Sequence, residues 1–171
     1  MTSIVKAGVK DAQLLSEIAN LSFIESHGHS AAAEVINSFL TENYNYNALK
    51  EELEDEKNIF HILYYDGQPA GYSKIIFNAP WPGSPVKNST KLERIYLLKK
   101  FYNLKLGLDL FQFNLELSKN NDQTGMWLNV WIENHRAIDF YKKNGFVVIG
   151  SYDFHLSETH SNPNHQLFLQ F

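Results

Sequence analysis

The chain contains no cysteine. That absence excludes a disulfide scaffold, thiolate zinc sites, iron–sulfur ligation and a cysteine nucleophile together. It also lacks a long hydrophobic run: nowhere do about 18 apolar residues follow one another, as a membrane-spanning helix needs. The opening Met1-Thr2-Ser3-Ile4-Val5-Lys6 has no apolar stretch of the kind that marks a secretory leader, so a cytoplasmic protein with no membrane partner is expected. There is no excess of base either. The net charge of −4 disfavours nucleic acid, whose binders carry a strongly basic face. What is present suits one globular domain over residues 1–171, with 44% hydrophobic, 20% charged and 14% aromatic residues.

The charge is unevenly distributed. Between residues 34 and 57 stand seven acids (Glu34, Glu42, Glu51, Glu52, Glu54, Asp55, Glu56) against Lys50 and Lys57. Between 87 and 105 stand six bases (Lys87, Lys91, Arg94, Lys99, Lys100, Lys105) against Glu93. Two solvated faces would explain both runs. A functional reading makes them an acidic wall for a cationic substrate and a basic rim for a phosphorylated ligand.

Periodicity predicts a first strand over Ser3–Lys6 and a helix opened by Asp11, with Leu14, Leu15, Ile18, Leu21, Phe23 and Ile24 at helical spacing. Ser30 is the expected cap of a second helix bearing Val35, Ile36, Phe39 and Leu40, and a short acidic helix follows over about 47–55. Ile59–Tyr65, Asp66-Gly67 and Ala70–Phe77 read as a hairpin, since Asp-Gly supplies the positive φ angles of a tight turn. Pro80, Pro82 and Pro85 make 78–89 an irregular loop. A buried central strand is expected over Leu92–Leu98, a helix from Leu106 to near Asn120, a strand over Trp127–Trp131, a helix over Ala137–Lys143, and strands over Phe146–Phe154 and Gln166–Gln170. The order β-α-α-α-β-β-β-α-β-α-β-β points to an α/β protein: a mixed sheet with helices on both faces.

Two segments carry chemistry. In Trp127–Phe146 (W-L-N-V-W-I-E-N-H-R-A-I-D-F-Y-K-K-N-G-F) an apolar strand ends in Asn134, which opens a helix presenting Tyr141 just before an Asn-Gly stop. Asn134 is at least an N-cap, and Tyr141 at least a core ring. A phenol with an ordinary pKa near ~10 also suits protonation of a thiolate leaving group, whose own value is near ~8.5. In Leu92–Phe111 (L-E-R-I-Y-L-L-K-K-F-Y-N-L-K-L-G-L-D-L-F) a strand enters a basic loop and then an amphipathic helix. A helix N-terminus with Lys99, Lys100, Lys105 and Gly107 around it fits pyrophosphate. The pair His27 and His29 invites a metal reading, but no further ligand stands at suitable spacing, so no metal is expected.

Together the segments resemble the GNAT superfamily of acyl-CoA-dependent N-acetyltransferases. The resemblance runs from Ile4–Val9 and Asp11, through Gly67-Gln68-Pro69-Ala70-Gly71-Tyr72 and Leu92-Glu93-Arg94-Ile95-Tyr96-Leu97-Leu98, to an ungapped N-x-x-A-x-x-F-Y-x-x-x-G-F match at Asn134, Ala137, Phe140, Tyr141, Gly145 and Phe146. Phe23-Ile24-Glu25-Ser26-His27-Gly28-His29 is similar to the corresponding segment of the PaiA-like polyamine acetyltransferase subgroup.

The resemblance implies a GNAT-like acyl-CoA N-acyltransferase fold with a mostly antiparallel central sheet, and acetyl-CoA as cosubstrate. It implies direct attack of an uncharged amine on the thioester, both substrates being bound together, with a small primary amine or polyamine as acceptor. Cofactor contacts would come from Ile95, Tyr96 and Leu97, from the loop Tyr102, Asn103, Leu104, Lys105, Leu106, Gly107 and Leu108, and from Asn134, Arg136, Tyr141 and Lys143. The Leu97 N–H would hold the thioester oxygen and Tyr141 would be the acid. Glu93 is the leading base, with Glu25, His27 and His29 as acceptor-side residues and reserves.

The sequence departs from the family at the phosphate loop. Tyr102 stands for the usual Gln or Arg, Lys105 for the first glycine, and only Gly107 survives. That leaves open a non-catalytic acyl-CoA- or amine-binding module. The aromatic end (Phe154, Phe168, Phe171) leaves open an oligomerisation role, and a homodimer is expected on the same ground.

Overall fold

A computed structural model describes all 171 residues. Seven strands and five helices follow in the expected order: β1 (Thr2–Lys6), α1 (Ala12–His27), α2 (Ala33–Asn43), α3 (Tyr46–Glu54), β2 (Ile59–Tyr65), β3 (Gln68–Ile76), β4 (Ser89–Leu97), α4 (Leu106–Lys119), β5 (Gly125–Trp131), α5 (His135–Lys143), β6 (Val147–His155) and β7 (Ser161–Gln170). The hydrogen-bonded strand order is β1-β2-β3-β4-β5-β7-β6. β1–β2, β2–β3, β5–β7 and β6–β7 are antiparallel, while Ser89–Lys91 of β4 runs parallel to Gly125–Trp127 of β5. The chain groups into two compact units, residues 1–75 with 94–114 and residues 76–93 with 115–171, and β4 contributes residues to both.

In the first unit the β2–β3 hairpin turns at Asp66 (φ 47°) and Gly67 (φ 76°), the two left-handed residues that a tight turn of this hand requires. α1 buries Leu15, Ile18, Ala19 and Phe23. Phe23 stacks on Phe39 at 5.1 Å and meets Tyr44 edge-on at 5.7 Å, which joins α1 to α2 and to the segment after it. The Tyr44 carbonyl accepts hydrogen bonds from Ser16 Oγ (2.6 Å) and Asn20 Nδ2 (2.8 Å). Gly71 lets β3 lie close to β4. A Cβ there would collide with the Tyr96 carbonyl oxygen, and the Leu98 N–H donates to the Ala70 carbonyl at 2.9 Å.

Several local expectations are corrected. Asp11 precedes α1 but does not cap it by side chain; its Oδ2 accepts the Gly8 N–H at 2.8 Å, closing the short 3-10 turn that enters the helix. Ser30 does not cap α2, which begins after Ala32 with no side-chain cap. β4 starts three residues earlier than expected, and only its first half is well buried; Glu93 to Leu97 are all half-exposed. β7 begins at Ser161, because strand pairing with β6 carries polar residues that periodicity alone assigns to a loop.

In the second unit the proline-bearing loop is held down by Trp81, whose ring lies 4.9 Å from that of Phe168 and 6.3 Å from that of Trp127. The Trp127 indole N–H donates to the Ala79 carbonyl at 2.6 Å. Two of the C-terminal rings thus have neighbours within the unit: Phe168 packs on Trp81, and Lys119 Nζ lies 5.6 Å over Phe171. β6, at the end of the strand order, exposes Val147, Val148, Ile149 and Tyr152. No helix is long and apolar enough to cross a membrane.

Candidate active site

In the first unit, the loop that joins β4 to α4 takes a backbone that its side chains disfavour. Asn103 (φ 66°) and Lys105 (φ 61°) are both left-handed, and Lys105 adopts that region although it stands where a glycine is usual. α4 opens at Leu106 directly after Lys105, whose carbonyl accepts the N–H groups of Leu108 (3.0 Å) and Asp109 (3.1 Å). Asn103, Leu104 and Lys105 are exposed, Tyr102, Gly107 and Leu108 half-buried, and Leu106 buried. A Cβ on Gly107 would make one ordinary contact, 3.4 Å from Leu97 Cδ1. Lys105 thus holds a left-handed backbone that glycine reaches more easily, and α4 opens directly after it.

Ile95, Tyr96 and Leu97 are half-exposed apolar or aromatic side chains in the middle of a sheet, a surface suited to ligand contact. His27 and Tyr96 come together: the imidazole stacks on Phe23 at 5.0 Å and meets Tyr96 edge-on at 6.0 Å. His27 Nδ1 lies 2.6 Å from Ser26 Oγ. Burial, with a smaller contribution from His29, lowers the His27 pKa to about 4, so the ring is uncharged at neutral pH and a weak proton sink for an ammonium group. Glu25 is engaged by backbone, its carboxylate accepting the Lys99 N–H at 2.7 Å. His29 is exposed.

The acidic helix contributes differently from its composition. Glu52 is not part of a solvated wall. Its Oε2 accepts from Lys74 Nζ at 2.5 Å and its Oε1 from Arg94 Nη2 at 3.0 Å. Arg94 also lies 4.7 Å over the Tyr44 ring, and Tyr72 stacks on Tyr96 at 5.9 Å. This cluster joins Glu52 of the acidic run, Arg94 of the basic run and the expected cofactor contact Tyr96 to Tyr44, Tyr72 and Lys74, which are absent from the sequence-based candidates. Its one visible signal is Lys74, the only charge in the otherwise uncharged run 68–77. The basic segment disperses as well: Lys100 Nζ reaches Gln68 Oε1 at 3.4 Å, and Lys87 Nζ donates to the Ser84 carbonyl at 3.0 Å.

In the second unit Asn134 caps α5, its Oδ1 accepting the Ala137 N–H at 3.2 Å. Tyr141 is buried at 7% exposure, with Phe140 and Phe146 each 5.4 Å away edge-on. Burial pushes its phenol well above the ordinary tyrosine range, so the proton is held firmly through neutral pH. Arg136 and Lys143 are exposed on the same helix. Glu93 is half-buried with Lys91 Nζ 3.8 Å from its Oε1, and Lys91 also lies 5.3 Å over the Trp127 ring.

The sequence model of the acetyltransferase (GNAT) family matches residues 15–146. The chain is 30% identical over 155 residues to the uncharacterized N-acetyltransferase in the pepI 3′ region of Lactobacillus delbrueckii subsp. lactis, covering 91% of this chain and 90% of that one. It is 25% identical over 147 residues to the spermidine N(1)-acetyltransferase of Thermoplasma acidophilum, covering 84% and 86%. Among solved structures, the PaiA N-acetyltransferase of Thermoplasma acidophilum in complex with coenzyme A is similar with a TM-score of 0.81 at 22% identity, covering 100% and 99%.

Proposed function

The chain belongs to the GNAT family of N-acetyltransferases, and from that premise we propose that it moves the acetyl group of acetyl-CoA onto a primary amine by direct attack, working as one domain over 1–171. The observation that carries this reading is the left-handed backbone of Asn103 and Lys105 at the head of α4. The binding-only alternative rests on missing glycines, and Lys105 reaches without one the left-handed backbone that glycine adopts readily.

Acetyl-CoA supplies an acyl group activated as a thioester. The N–H groups of 103–107 and the Lys105 ammonium would bind its pyrophosphate, and Asn134, Arg136 and Lys143 its remaining polar groups. Because the Asn134 Oδ1 already serves the helix cap, the group it offers a ligand is its Nδ2 amide. Glu93 takes the proton that an alkylammonium, with an ordinary pKa near ~10.4, must lose before it can attack. The Leu97 N–H stabilises the negative charge that develops on the carbonyl oxygen. As the N–C bond forms and the C–S bond breaks, Tyr141 gives its proton to the departing sulfur, and the second proton that the nitrogen sheds on becoming a neutral amide returns through water to the phenolate.

A polyamine acceptor is a second reading. It is favoured by the exposed carboxylates Glu42, Glu51, Glu54, Asp55 and Glu56 and by the relative that acts on spermidine. Attraction to such carboxylates is screened beyond about 8 Å at physiological salt, so the KM for spermidine should rise with ionic strength while that for acetyl-CoA changes less. Neutralising Glu51 and Glu54 should raise it too, with Glu52 left intact as a structural partner of Lys74 and Arg94.

The deciding experiment is calorimetric titration with acetyl-CoA, followed by an amine panel read by thiol release. Gly107→Val should weaken acetyl-CoA binding markedly. The protein itself accommodates a Cβ at that position, so the loss would report blocked access to the backbone. An unchanged Kd for Gly107→Val, or no thiol release with any amine, overturns the reading.

A further inference from the structure

Asn129 stands in the middle of β5, the only amide or charged side chain in Met126–Trp131. Asparagine is depleted in strands, and β5 lies between two others in the sheet. The residue is half-exposed, yet its Oδ1 is covered and has no hydrogen-bond partner within the protein. Gln166, opposite it on β7, leaves it unbonded. An orphaned amide oxygen at the centre of a sheet calls for an explanation.

The register says what it stands beside. β4 and β5 pair in parallel from Ser89 opposite Gly125 to Lys91 opposite Trp127, and β5 runs on to Trp131 along β7. Lys91 Nζ lies 5.3 Å over the Trp127 ring and 3.8 Å from Glu93 Oε1, so Lys91, Glu93 and Trp127 share one face. Asn129, two residues beyond Trp127 with no break in the β5–β7 register, is on that face too. Extending the parallel register by two residues sets Glu93 level with Asn129. The pairing stops two residues short of them, so they flank a place where β4 and β5 are no longer bonded together. The Glu93 side chain is 28% exposed and Asn129 half-exposed, which leaves this face open to a small molecule.

Both groups accept hydrogen bonds, and an amine nitrogen supplies N–H donors. Once Glu93 has taken the extra proton of the ammonium, a primary amine carries two N–H bonds. One proton is shed as the amide forms, and the other stays in the product. A secondary amine has only the one that is shed. An accepting oxygen beside the base can hold the N–H that persists, which aims the nitrogen lone pair at the thioester. The terminal torsion of an asparagine is broad and roughly two-fold, so the oxygen can turn toward the opening without moving the strand.

We infer that Asn129 is a specificity-determining residue for the acceptor: its Oδ1 accepts the N–H that the nitrogen keeps, and it thereby selects primary over secondary amines. The inference rests on the amine-acetylation reading and deepens it.

The test sets benzylamine, glycinamide and 1,4-diaminobutane against their forms methylated once on every amine nitrogen, in wild type, Asn129→Leu and Asn129→Asp, read by thiol release. In wild type at least one primary amine should be a substrate, with kcat/KM at least tenfold above that of its methylated form. Asn129→Leu is of similar size and lacks the oxygen. It should lose about tenfold on the primary amine and stay within twofold on the methylated one, with the Kd for acetyl-CoA within twofold. Asn129→Asp keeps an accepting oxygen and should keep the preference, whatever its added charge does to both rates. Free Asn129→Leu should melt no lower than wild type, because the oxygen it removes has no partner there. An equal loss on both amines in Asn129→Leu, no preference in wild type, or melting several degrees lower would overturn the inference and leave amine acetylation standing. Absence of thiol release with every primary amine would overturn both readings together.

Discussion

The carboxylate of Glu25, near the end of α1, accepts the backbone N–H of Lys99 at 2.7 Å, across 74 residues of sequence. Lys99 opens the short 3-10 turn that follows β4, and the loop 102–108 leaves from the end of that turn. A carboxylate that receives an N–H at the start of a helical turn acts as a cap from a distant element. Glu25→Ala should therefore cost about 1 kcal/mol, seen as a melting temperature about 2–4 °C lower. It should raise the KM for acetyl-CoA, through the loop, while changing the KM of the amine less than twofold. A larger effect on the amine than on acetyl-CoA would place Glu25 at the acceptor instead.

Lys105 holds a left-handed conformation that costs a side chain about 1–2 kcal/mol relative to glycine. Part of that is offset in Lys105→Gly by the greater freedom of glycine in the unfolded chain. The variant should gain about 0.5–1 kcal/mol in a urea titration. If the lysine supplies charge to the pyrophosphate, the same variant binds acetyl-CoA severalfold more weakly at low salt, with the difference shrinking as salt is added. Equal affinity at low salt would assign the whole interaction to the backbone.

Tyr141→Phe removes a hydroxyl that burial keeps protonated. Loss of a general acid lowers kcat by roughly 10²–10⁴-fold, with the Kd for acetyl-CoA unchanged. Because the folded-state pKa lies above the unfolded one, the folded protein holds this proton more tightly, and the associated stability is lost only as pH rises beyond about 10. No alkaline fall in activity below that pH should trace to Tyr141. Equal turnover by the two proteins would leave Tyr141 a packing residue.

His27 and His61 are both uncharged at neutral pH. Burial, with His29 beside one and Lys6 beside the other as smaller contributors, lowers each to about 4 from an ordinary 6.5. Between those two values the unfolded chain binds protons that the folded chain does not. Their contribution to stability is thus complete above pH 6.5 and is lost as pH falls toward 4. For each the loss is about 2 kcal/mol by pH 5. Urea midpoints measured at pH 7 and pH 5 should show it, and His27→Gln and His61→Gln should each flatten the dependence.

The sequence by itself determined the element order, the Asp66-Gly67 hairpin, the Asn134 cap, the Asn-Gly stop after Tyr141 and the family. Each is written in residues a few positions apart, where backbone preference and periodicity act directly. Only the tertiary structure decided what depends on side chains brought from far apart. Composition makes Glu52 one acid among seven in a solvated run, yet Lys74 and Arg94, 22 and 42 residues further on, close over it and remove it from that face. Glu25 reads as an acceptor-side carboxylate until Lys99 is folded against it. Lys105 reads as damage to a phosphate loop, because a one-letter code carries no φ angle, and the surrounding fold holds the lysine in the conformation a glycine would adopt freely. Tyr72 reads as an ordinary strand aromatic. That its hydroxyl is buried without a partner, in a cluster with phenols, cations and a carboxylate, is a property of six side chains from three elements and the residue after α2, and no local pattern encodes it.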